Sequence, residues 1–434
     1  MDDINMISLV NEASSMIRET LGSVYIFYGM REIRMATEKE QLLRSFGEWI
    51  SFVTELANDG ECVWNQSAAT GKWTVREIVA HILRWDDYFY NEAIAKAAAG
   101  LPLTVKHLDY DTFNEAAKAY GKNTPIAELA GQAAKSRKRI IDAVAKLTNE
   151  QYEAAYTDAD GHPFQMAQYI KDFIWHDQHH IEQIMKLKHF RLEEMSLNGW
   201  PALQTLVYDG WLLRFAEGYT KRSNSINPIY GHTLELDAKI RACERQYEQQ
   251  GIRTIFKITP FSQPASLDEE LASRGYELID RTIVKTVRLA DVLSPSHADI
   301  RLENMPAEGW LDALTLFSGL TEEQRSITRK MLEQLALEKC FAILLENGLP
   351  VACGFAVIED GWIGLYDIVT CPGNRNKGYG EQLILHLLQW GKGRGAADSY
   401  LLVVKNNAPA NRLYEKIGYV PQYEYWYRAK QNQQ

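Results

Sequence analysis

The chain has 434 residues, of which 46% are hydrophobic and 24% are charged. That length predicts about two to four folding units, and the composition is that of a globular protein, which excludes a single small module and a largely disordered chain. The 47 basic and 57 acidic residues give a net charge of −10, so we expect no nucleic-acid partner, because phosphates would repel the chain.

The five cysteines are scattered and contain no C-x-x-C pair, which argues against a disulfide framework and against a thiolate zinc site. We therefore expect a cytoplasmic protein. No apolar run approaches the roughly 20 residues of a membrane span, and residues 22–30 are too short and too weakly flanked for a signal peptide. Met35 opens a new segment, so residues 1–34 are expected to be an N-terminal appendage or an upstream mis-start, and we assign them no function.

Residues 37–190 have helical periodicity, with apolar residues three and four positions apart. One helix is predicted to begin at Thr37 and a second at Thr74, because each threonine precedes a glutamate by three residues, the spacing of a capping box. A third is predicted from Pro125, since proline suits the first helical position, and a fourth over about residues 164–190. The stretch before Pro125 is less regular. Four amphipathic helices predict a bundle over residues 35–190.

Three histidines fall on the apolar sides of these helices. His81 lies on the second helix, and His176 and His180 lie one turn apart on the fourth. Two imidazoles at i and i+4, with a third from a facing helix, can form a half-open metal site, and imidazole suits Zn, Ni or Fe. His179 falls on another side, beside Trp175, and is not expected to be a ligand. The alternative is that the two at i and i+4 are core histidines satisfied by hydrogen bonds.

Three motifs stand out in this block: WTVREIVAHILRW at residues 73–85, the stretch at residues 107–114, and His176-x-x-x-His180. Through them, residues 36–190 resemble the DinB-like four-helix bundle superfamily, especially its ClbS/DfsB-type branch. The resemblance implies a divalent metal bound by His81, His176 and His180. The activities of that superfamily include thiol transferases and a resistance hydrolase, so the resemblance does not fix a reaction.

Beyond residue 198 the pattern changes to short apolar runs with helical stretches between them, which predicts an α/β region. Asn347-Gly348 predicts a hairpin, because a type I′ turn needs positive φ at both central residues. Residues 293–299 are the best linker candidate and divide the region into segments 195–292 and 298–434. Residues 271–276 parallel residues 414–419, which indicates either a duplicated half-fold or chance similarity of helix–glycine–strand joints. The predicted strands are residues 211–215, 254–258, 282–287, 341–345, 351–357 and 363–369.

The strand that ends near Thr370 leads into the sequence RNKGYG at residues 375–380 and then into an amphipathic helix. Glycines at a strand-to-helix joint let backbone N–H groups approach an anion, and a helix N-terminus adds roughly half a positive charge. Arg375 and Lys377 supply formal charge as well. We predict a pyrophosphate cradle here, with an ordinary glycine-containing turn as the alternative.

Residues 375–380 match the R/Q-x-x-G-x-G/A motif, and residues 407–419 match the distal N-x-x-A-x-x-L-Y-x-x-x-G-Y motif, of the GNAT acyl-CoA-dependent N-acetyltransferases. Residues 298–430 therefore resemble that superfamily, which implies a mixed sheet with flanking helices and acetyl-CoA as cosubstrate. Tyr414 would protonate the departing CoA thiolate, since a phenol is protonated at neutral pH. The residues implied to contact acetyl-CoA are Ile368, Val369, Thr370, Arg375, Asn376, Lys377, Gly378, Tyr379, Gly380 and Asn407, although Asn407 could simply cap a helix and Tyr414 could simply pack.

The general base is less well defined. Many relatives use a glutamate on the strand before Asn407, but the corresponding residue here is Leu402. Asp367 is the candidate base, directly or through water, and the alternative is a solvated or salt-bridged strand residue. Residues 198–292 resemble a piece found ahead of this domain in some GNAT proteins, without the R-x-x-G-x-G motif. Its expected role is packing, or lining an acceptor pocket with Trp211, Arg214 and Asn224.

The sequence thus predicts a multidomain protein, an all-α four-helix bundle followed by an α/β region. The predicted reaction is acetyl transfer from acetyl-CoA to a primary amine of a small-molecule or peptide acceptor, with a divalent metal in the bundle. The alternative is a non-catalytic GNAT-like binding module attached to a metal-dependent hydrolase or thiol transferase in detoxification. No membrane partner is expected, and a homodimer is left open.

Overall fold

The structure is a computed structural model that describes residues 37–67, 71–297 and 299–430. The chain divides into two compact units, one ending at Leu187 and the other beginning at Lys188. The predicted appendage at residues 1–34 lies outside the described residues. Among the helices that the structure describes, none is both long enough and apolar enough to cross a membrane.

The first unit consists almost entirely of helices. A π-helical turn at Tyr90–Ile94 continues its fourth helix, and one short hairpin, β1 Tyr156–Thr157 with β2 Pro163–Phe164, precedes its last. That last helix crosses the division between the units, so only its residues up to Leu187 belong here. The helices are α1 Glu38–Phe46, α2 Glu48–Leu56, α3 Glu61–Asn65, α4 Val75–Phe89, α5 Ala95–Ala98, α6 Tyr110–Asn123, α7 Ile126–Lys146, α8 Asn149–Glu153 and α9 Met166–Gly199.

Both predicted capping boxes form. The hydroxyls of Thr37 and Thr74 accept hydrogen bonds from the N–H groups three residues on, and the glutamates there accept from the threonine N–H groups, so α1 and α4 begin where predicted. The helix α7 begins at Ile126, one residue later than predicted, which is within the usual uncertainty of a helix end. The last helix continues to Gly199, beyond the predicted end.

Helix α6 is not predicted by the sequence pattern. Its buried residues are small, Ala117 and Gly121, so no stripe of large apolar side chains marks it. A Cβ added at Gly121 would lie 2.8 Å from the Cβ of Ala80 on α4, so the two helices approach closely at this point. Small residues permit that approach.

A buried cation connects three helices of the first unit. Arg137 on α7 donates hydrogen bonds to Asp86 on α4, at 2.9 and 3.1 Å, and to Asp177 on α9. All three side chains are buried. Since removing one partner would leave an uncompensated buried charge, this cluster fixes α4 and α9 relative to each other.

The second unit contains one continuous sheet of eleven strands in the order β3-β4-β5-β6-β13-β7-β12-β11-β10-β9-β8. Its strands are β3 Gln204–Tyr208, β4 Trp211–Phe215, β5 Ile226–Asn227, β6 Ile255–Ile258, β7 Glu277–Arg288, β8 Ile300–Glu303, β9 Glu338–Glu346, β10 Leu349–Glu359, β11 Trp362–Thr370, β12 Asp398–Val404 and β13 Val420–Ala429. Its helices are α10 Leu236–Gln249, α11 Leu267–Ser273, α12 Glu308–Ser318, α13 Glu322–Glu333, α14 Tyr379–Lys392 and α15 Ala408–Ile417.

The hairpin at Asn347-Gly348 forms as predicted. Both residues have positive φ, 51° and 78°, and the flanking residues Glu346 and Leu349 are paired across β9 and β10.

The same order of elements occurs twice in the second unit. We call residues 204–288 (β3–β7) its first half and residues 300–429 (β8–β13) its second half. The order β5–α10–β6–α11–β7 corresponds to the order β11–α14–β12–α15–β13. The pairs β5/β6 and β11/β12 are both parallel, and a glycine of positive φ, Gly275 or Gly418, lies within two residues of the end of each last helix. These joints are the two similar sequence segments.

The two halves exchange their last strands. β7 of the first half pairs with β12 of the second, and β13 of the second half pairs with β6 of the first. β7 and β13 also pair with each other at the centre. Strands from both sides of residues 293–299 therefore form a single sheet.

Candidate active site and candidate metal site

Strands β11 and β12 run parallel and then separate. They are paired from Trp362 and Asp398 as far as Leu365 and Leu401. Beyond that point β11 pairs only with β10, and β12 pairs only with β7. The backbone of residues 368–370 therefore has no strand partner on its β12 side within the described sheet. This unpaired edge is where the pantetheine contacts were predicted.

A β-bulge lies where the two strands separate. Asp367 has a φ of 47°, and the register between β10 and β11 shifts so that Asp367 and Ile368 both lie opposite Gly354. A Cβ at Gly354 would lie 2.6 Å from the Cδ1 of Ile368 and 3.3 Å from its Cα, so a larger residue opposite the bulge would displace the Ile368 side chain. Bulges bend a strand and redirect a side chain, and this one sets the direction of the Asp367 carboxylate.

The Asp367 carboxylate is largely buried. Its side chain is 18% exposed, and its Oδ1 lies 4.0 Å from Nη2 of Arg222. Its Oδ2 is buried and has no hydrogen-bond partner within the described residues. Burial raises the pKa of Asp367 to about 6, against the opposing effect of the Arg222 charge. A carboxylate with that pKa is ionised at neutral pH and can accept a proton.

Arg222 is the site residue that the sequence interpretation missed, although its segment, GYTKRSNS at residues 218–225, was noted as a feature. Hydrogen bonds among neighbouring residues hold the loop that carries Arg222. Asn224 accepts hydrogen bonds from the N–H groups of Ala216 and Gly218, and Arg214 donates to the Arg222 carbonyl at 3.0 Å. Arg214 and Asn224, expected either to pack or to line an acceptor pocket, are buried and hold this loop.

Trp211, the third residue of that set, is buried in the core of the first half. Its indole N–H donates a hydrogen bond to the carbonyl of Gln263 at 2.9 Å. Its placement therefore corresponds to the packing alternative.

The loop after β11 leaves the N-terminus of α14 without a side-chain cap. Gly378 is the N-cap residue, with a φ of 85°, and no side chain caps this helix. Residues 375–378 are exposed, and neither Arg375 nor Lys377 forms an ion pair with any residue that the structure describes. The free N–H groups of the first turn therefore meet solvent beside two uncompensated cations, an arrangement suited to binding an anion.

Helix α15 carries Asn407 and Tyr414. The Asn407 side chain accepts a hydrogen bond from the Ala410 N–H at 3.3 Å and caps the helix. The Tyr414 ring is buried, and its hydroxyl makes no hydrogen bond to any described residue. Burial raises the pKa of Tyr414 to about 12, so the phenol is protonated throughout the neutral range.

The candidate acid and base approach the gap between β11 and β12 from opposite faces of the sheet. Tyr414 packs in the core that contains Leu365, Ile368 and the residues of α14. The other core contains Tyr366 and Trp200, over whose rings the Arg222 guanidinium lies. We call this second face the acceptor face. Leu402, which occupies the position of the glutamate in many relatives, packs against its core.

Three histidines converge in the first unit. His81 on α4 and His176 and His180 on α9 each place one ring nitrogen within 4.8 Å of the other two. The Nε2 atoms of His81 and His176 are 3.1 Å apart. Two nitrogens bound to one zinc ion at about 2.0–2.1 Å lie roughly 3 Å apart, so the three imidazoles fit a divalent metal.

Amide oxygens orient two of these imidazoles. The Nδ1 of His81 donates to Oδ1 of Asn114, and the Nδ1 of His180 donates to Oε1 of Gln183, each at 2.9 Å. Each Nε2 is then left with its lone pair, as a metal ligand requires. Burial lowers the pKa of His81 to about 3 and that of His180 to about 4, so both are neutral at pH 7. His179 is exposed.

Comparisons with known proteins cover both units. Residues 189–428 match the family model "Probable histone acetyltransferase Rv0428c C-terminal", and residues 41–184 match the DinB superfamily model. The uncharacterized N-acetyltransferase YobR of Bacillus subtilis is 32% identical over 244 residues, which are 55% of this chain and 98% of YobR.

Solved structures with similarity to the chain include a GCN5-related N-acetyltransferase from Kribbella flavida, with 16% identity and a TM-score of 0.45 over 56% of this chain and 95% of the other. Another is YfiT from Bacillus subtilis, described as a probable metal-dependent hydrolase with a four-helix bundle topology. It has 18% identity and a TM-score of 0.31 over 38% of this chain and 94% of YfiT.

Proposed function

Because the chain belongs to the GNAT-type N-acetyltransferases through residues 189–428, we propose that it transfers an acetyl group from acetyl-CoA to a primary amine at the gap between β11 and β12. A DinB-superfamily domain is fused ahead of the transferase domain. The observation that carries the proposal is the gap itself, which has an unpaired strand edge on one side and leads to the open start of α14.

The residues around the gap fit acetyl-CoA in three places. The unpaired backbone of Ile368, Val369 and Thr370 offers donors and acceptors to the amides of the pantetheine arm. The N–H groups of residues 375–380, with the Arg375 and Lys377 side chains, form a site for the pyrophosphate. Asn407, at the start of α15, contacts the cosubstrate beside its capping role.

Acetyl-CoA supplies a thioester whose carbonyl carbon accepts the amine. Asp367 takes a proton from the amine on the acceptor face as the N–C bond forms and the C–S bond breaks. Tyr414, on the other face, gives its hydroxyl proton to the departing sulfur and regains a proton from solvent. Most of the rate comes from holding the two reactants in line at the gap, with proton transfer by the two side chains adding to it.

A screen of amines for acetyl-CoA-dependent release of the CoA thiol tests this reaction. With an accepted amine, Tyr414→Phe is expected to lower kcat by about 100-fold, the usual size of a proton-transfer contribution. Tyr230→Phe is the matched control, because Tyr230 is exposed and lies outside the gap. Normal turnover by Tyr414→Phe would rule out the acid role. The absence of both turnover and acetyl-CoA binding in the wild type would rule out the function.

We also propose that the DinB-superfamily domain binds a divalent metal through His81, His176 and His180. The convergence of three ring nitrogens, two from buried histidines and one from a half-buried histidine, supports this second proposal. An ion held by these three histidines would polarise a bound water or substrate oxygen, the chemistry that metal-dependent hydrolases and thiol transferases require.

Metal content after purification with and without chelator tests the metal site. The wild type is expected to hold about one equivalent of Zn, Ni or Fe, and the pair His176→Ala/His180→Ala to hold none. His179→Ala is the matched control, because this exposed histidine lies on the same helix outside the cluster. Equal metal content in the wild type and the double variant would rule out the site.

A further inference from the structure

Two groups of opposite charge on the acceptor face have unused hydrogen-bonding capacity. The Oδ2 of Asp367 is buried without a hydrogen-bond partner. The Arg222 guanidinium donates no hydrogen bond within the described residues, and the carboxylate oxygen in ion-pair range, Oδ1 of Asp367, lies 4.0 Å from its Nη2. Since 4.0 Å is too long for a hydrogen bond, neither group satisfies the other.

Aromatic rings hold the guanidinium in place. Its Cζ lies 4.6 Å from the centre of the Trp200 ring and 6.0 Å from that of Tyr366, and both rings are buried. The Trp200 indole is itself fixed by its hydrogen bond to the Thr220 hydroxyl at 3.2 Å. The Arg222 side chain is 28% exposed. A guanidinium stacked on its face keeps its in-plane N–H groups for a planar anion, which a carboxylate matches in geometry.

The charges of this pair select among amines. Asp367 attracts an ammonium group, but the permanent charge of Arg222 repels it, so a polyamine or a lysine-rich peptide is a poor match. A molecule that carries an amine and a carboxylate a few bonds apart satisfies both groups at once. Because Oδ1 of Asp367 and Nη2 of Arg222 are 4.0 Å apart, an amine and a carboxylate attached to the same carbon can reach both groups, which suits an α-amino acid.

We propose that Arg222 binds the carboxylate of an α-amino acid acceptor whose amine faces Asp367. This inference rests on the proposed acetyl transfer, since it places the reacting nitrogen at the gap between β11 and β12. Arg222 is then a specificity residue supplied by the first half to a reaction in the second half. Its guanidinium neither donates nor accepts a proton in the reaction.

The test compares amino acids with the amines that lack only their carboxylate, such as leucine with isopentylamine and phenylalanine with phenethylamine. Release of the CoA thiol is followed at pH 9, well above the pKa of Asp367, so the base is ionised in every variant. For the preferred pair, the wild type is expected to show a kcat/KM about 10- to 100-fold higher with the amino acid, the usual effect of a hydrogen bond to a charged group.

Variants of Arg222 test whether the preference for the amino acid depends on its side chain. Arg222→Gln is expected to abolish it while changing kcat/KM for the carboxylate-free amine less than about threefold, and Arg222→Lys to retain part of it. Lys221→Gln is the matched control, because the Lys221 ammonium pairs with Asp280 instead of Asp367. The dissociation constant for acetyl-CoA verifies that each variant is folded.

Two outcomes overturn the inference: equal or greater kcat/KM for the carboxylate-free amine in the wild type, or an undiminished preference in Arg222→Gln. Turnover of carboxylate-free amines alone leaves the proposed acetyl transfer intact. If the protein binds acetyl-CoA but acetylates none of the amino acids and none of the carboxylate-free amines, the result contradicts both the proposed transfer to amines and this inference.

Discussion

Helices α10 and α14 begin at corresponding places in the two halves of the second unit, but their N-termini differ. The carboxylate of Glu235 accepts hydrogen bonds from the N–H groups of Asp237 and Ala238 at the start of α10, at 2.9 and 2.8 Å. The loop before it is held by Asp209, which accepts from the N–H groups of Thr233 and Leu234. At the start of α14 no side chain caps the helix.

The difference shows that a shared topology does not make a shared binding site. The donors of the first half are already used by carboxylates of the chain, and a buried lysine, Lys239, compensates the Asp209 charge at 2.9 Å. The N–H donors at the start of α14, in the second half, are free, and Arg375 and Lys377 lie beside them. Of these two helix starts, the one at α14 leaves its donors available to an anion, so the first half is expected to contribute the acceptor side of the reaction without holding acetyl-CoA.

Closing the open N-terminus of α14 is the change of largest expected effect. Gly378→Glu places a carboxylate in the anion site, and we expect the dissociation constant for acetyl-CoA, measured by equilibrium dialysis, to rise at least about 100-fold. Gly395→Glu is the matched control: its φ of 87° resembles the 85° of Gly378, and an added Cβ meets no atom within 4 Å at either position. Both variants then carry similar backbone strain. Equal affinity in the two would contradict the cradle.

A pH profile tests the pairing of a charge from the first half with a base from the second. The protonated carboxyl of Asp367 cannot accept a proton, so kcat is expected to fall as the pH drops through about 6, its pKa. Arg222→Gln removes the charge that lowers this pKa, so the midpoint is expected to move upward. Asp367→Asn is expected to remove this limb and to lower kcat by about 10- to 100-fold.

Lys221→Gln is expected to leave that midpoint unchanged, because Lys221 pairs with Asp280. A lower limb that persists in Asp367→Asn would assign the base to another group. A downward shift in Arg222→Gln would show that the two charges do not interact as the geometry indicates.

Removing the cap of α10 has the smallest expected effect. Glu235→Ala removes the side-chain acceptor of two N–H groups, and we expect the midpoint of urea denaturation to fall slightly. Glu235→Ser, which retains a good N-cap side chain, is expected to recover most of that loss. Affinity for acetyl-CoA is expected to stay within about twofold in both. A parallel loss of affinity would show that α10 contributes to the cosubstrate site.

Local signals account for what the sequence predicts about the fold. The capping threonines Thr37 and Thr74 and the Asn347-Gly348 turn depend on residues a few positions apart, so they can be identified without knowing the rest of the molecule. Helix α6 escapes prediction because it packs through Ala117 and Gly121, which leave no strong apolar period.

The exchange of β7 and β13 has no local signal. The sequence pattern of each segment predicts a strand, but the alternation of its side chains does not specify which strand pairs with it. The pairing partners are more than a hundred residues apart, and the whole sheet determines them. The repeat at Gly275 and Gly418 indicates corresponding positions without indicating that the following strands change places.

The candidate site likewise contains residues that local motifs identify and a residue that they do not identify. The loop at residues 375–380 and Tyr414 belong to contiguous motifs, and the i, i+4 spacing of His176 and His180 places them on one helix face. Arg222 reaches Asp367 only through the folding of its loop over Trp200, a contact between residues 145 positions apart in sequence (367 − 222). Its position beside Asp367 is therefore evident from the structure and not from the sequence.

The stoichiometry of acetyl-CoA binding to the full chain, measured by isothermal titration calorimetry, tests the central claim most directly. The predicted result is one equivalent per chain in the wild type and in Gly395→Glu, and no detectable binding in Gly378→Glu. Two equivalents in the wild type, or undiminished binding in Gly378→Glu, would contradict the assignment of a single cosubstrate site to the start of α14.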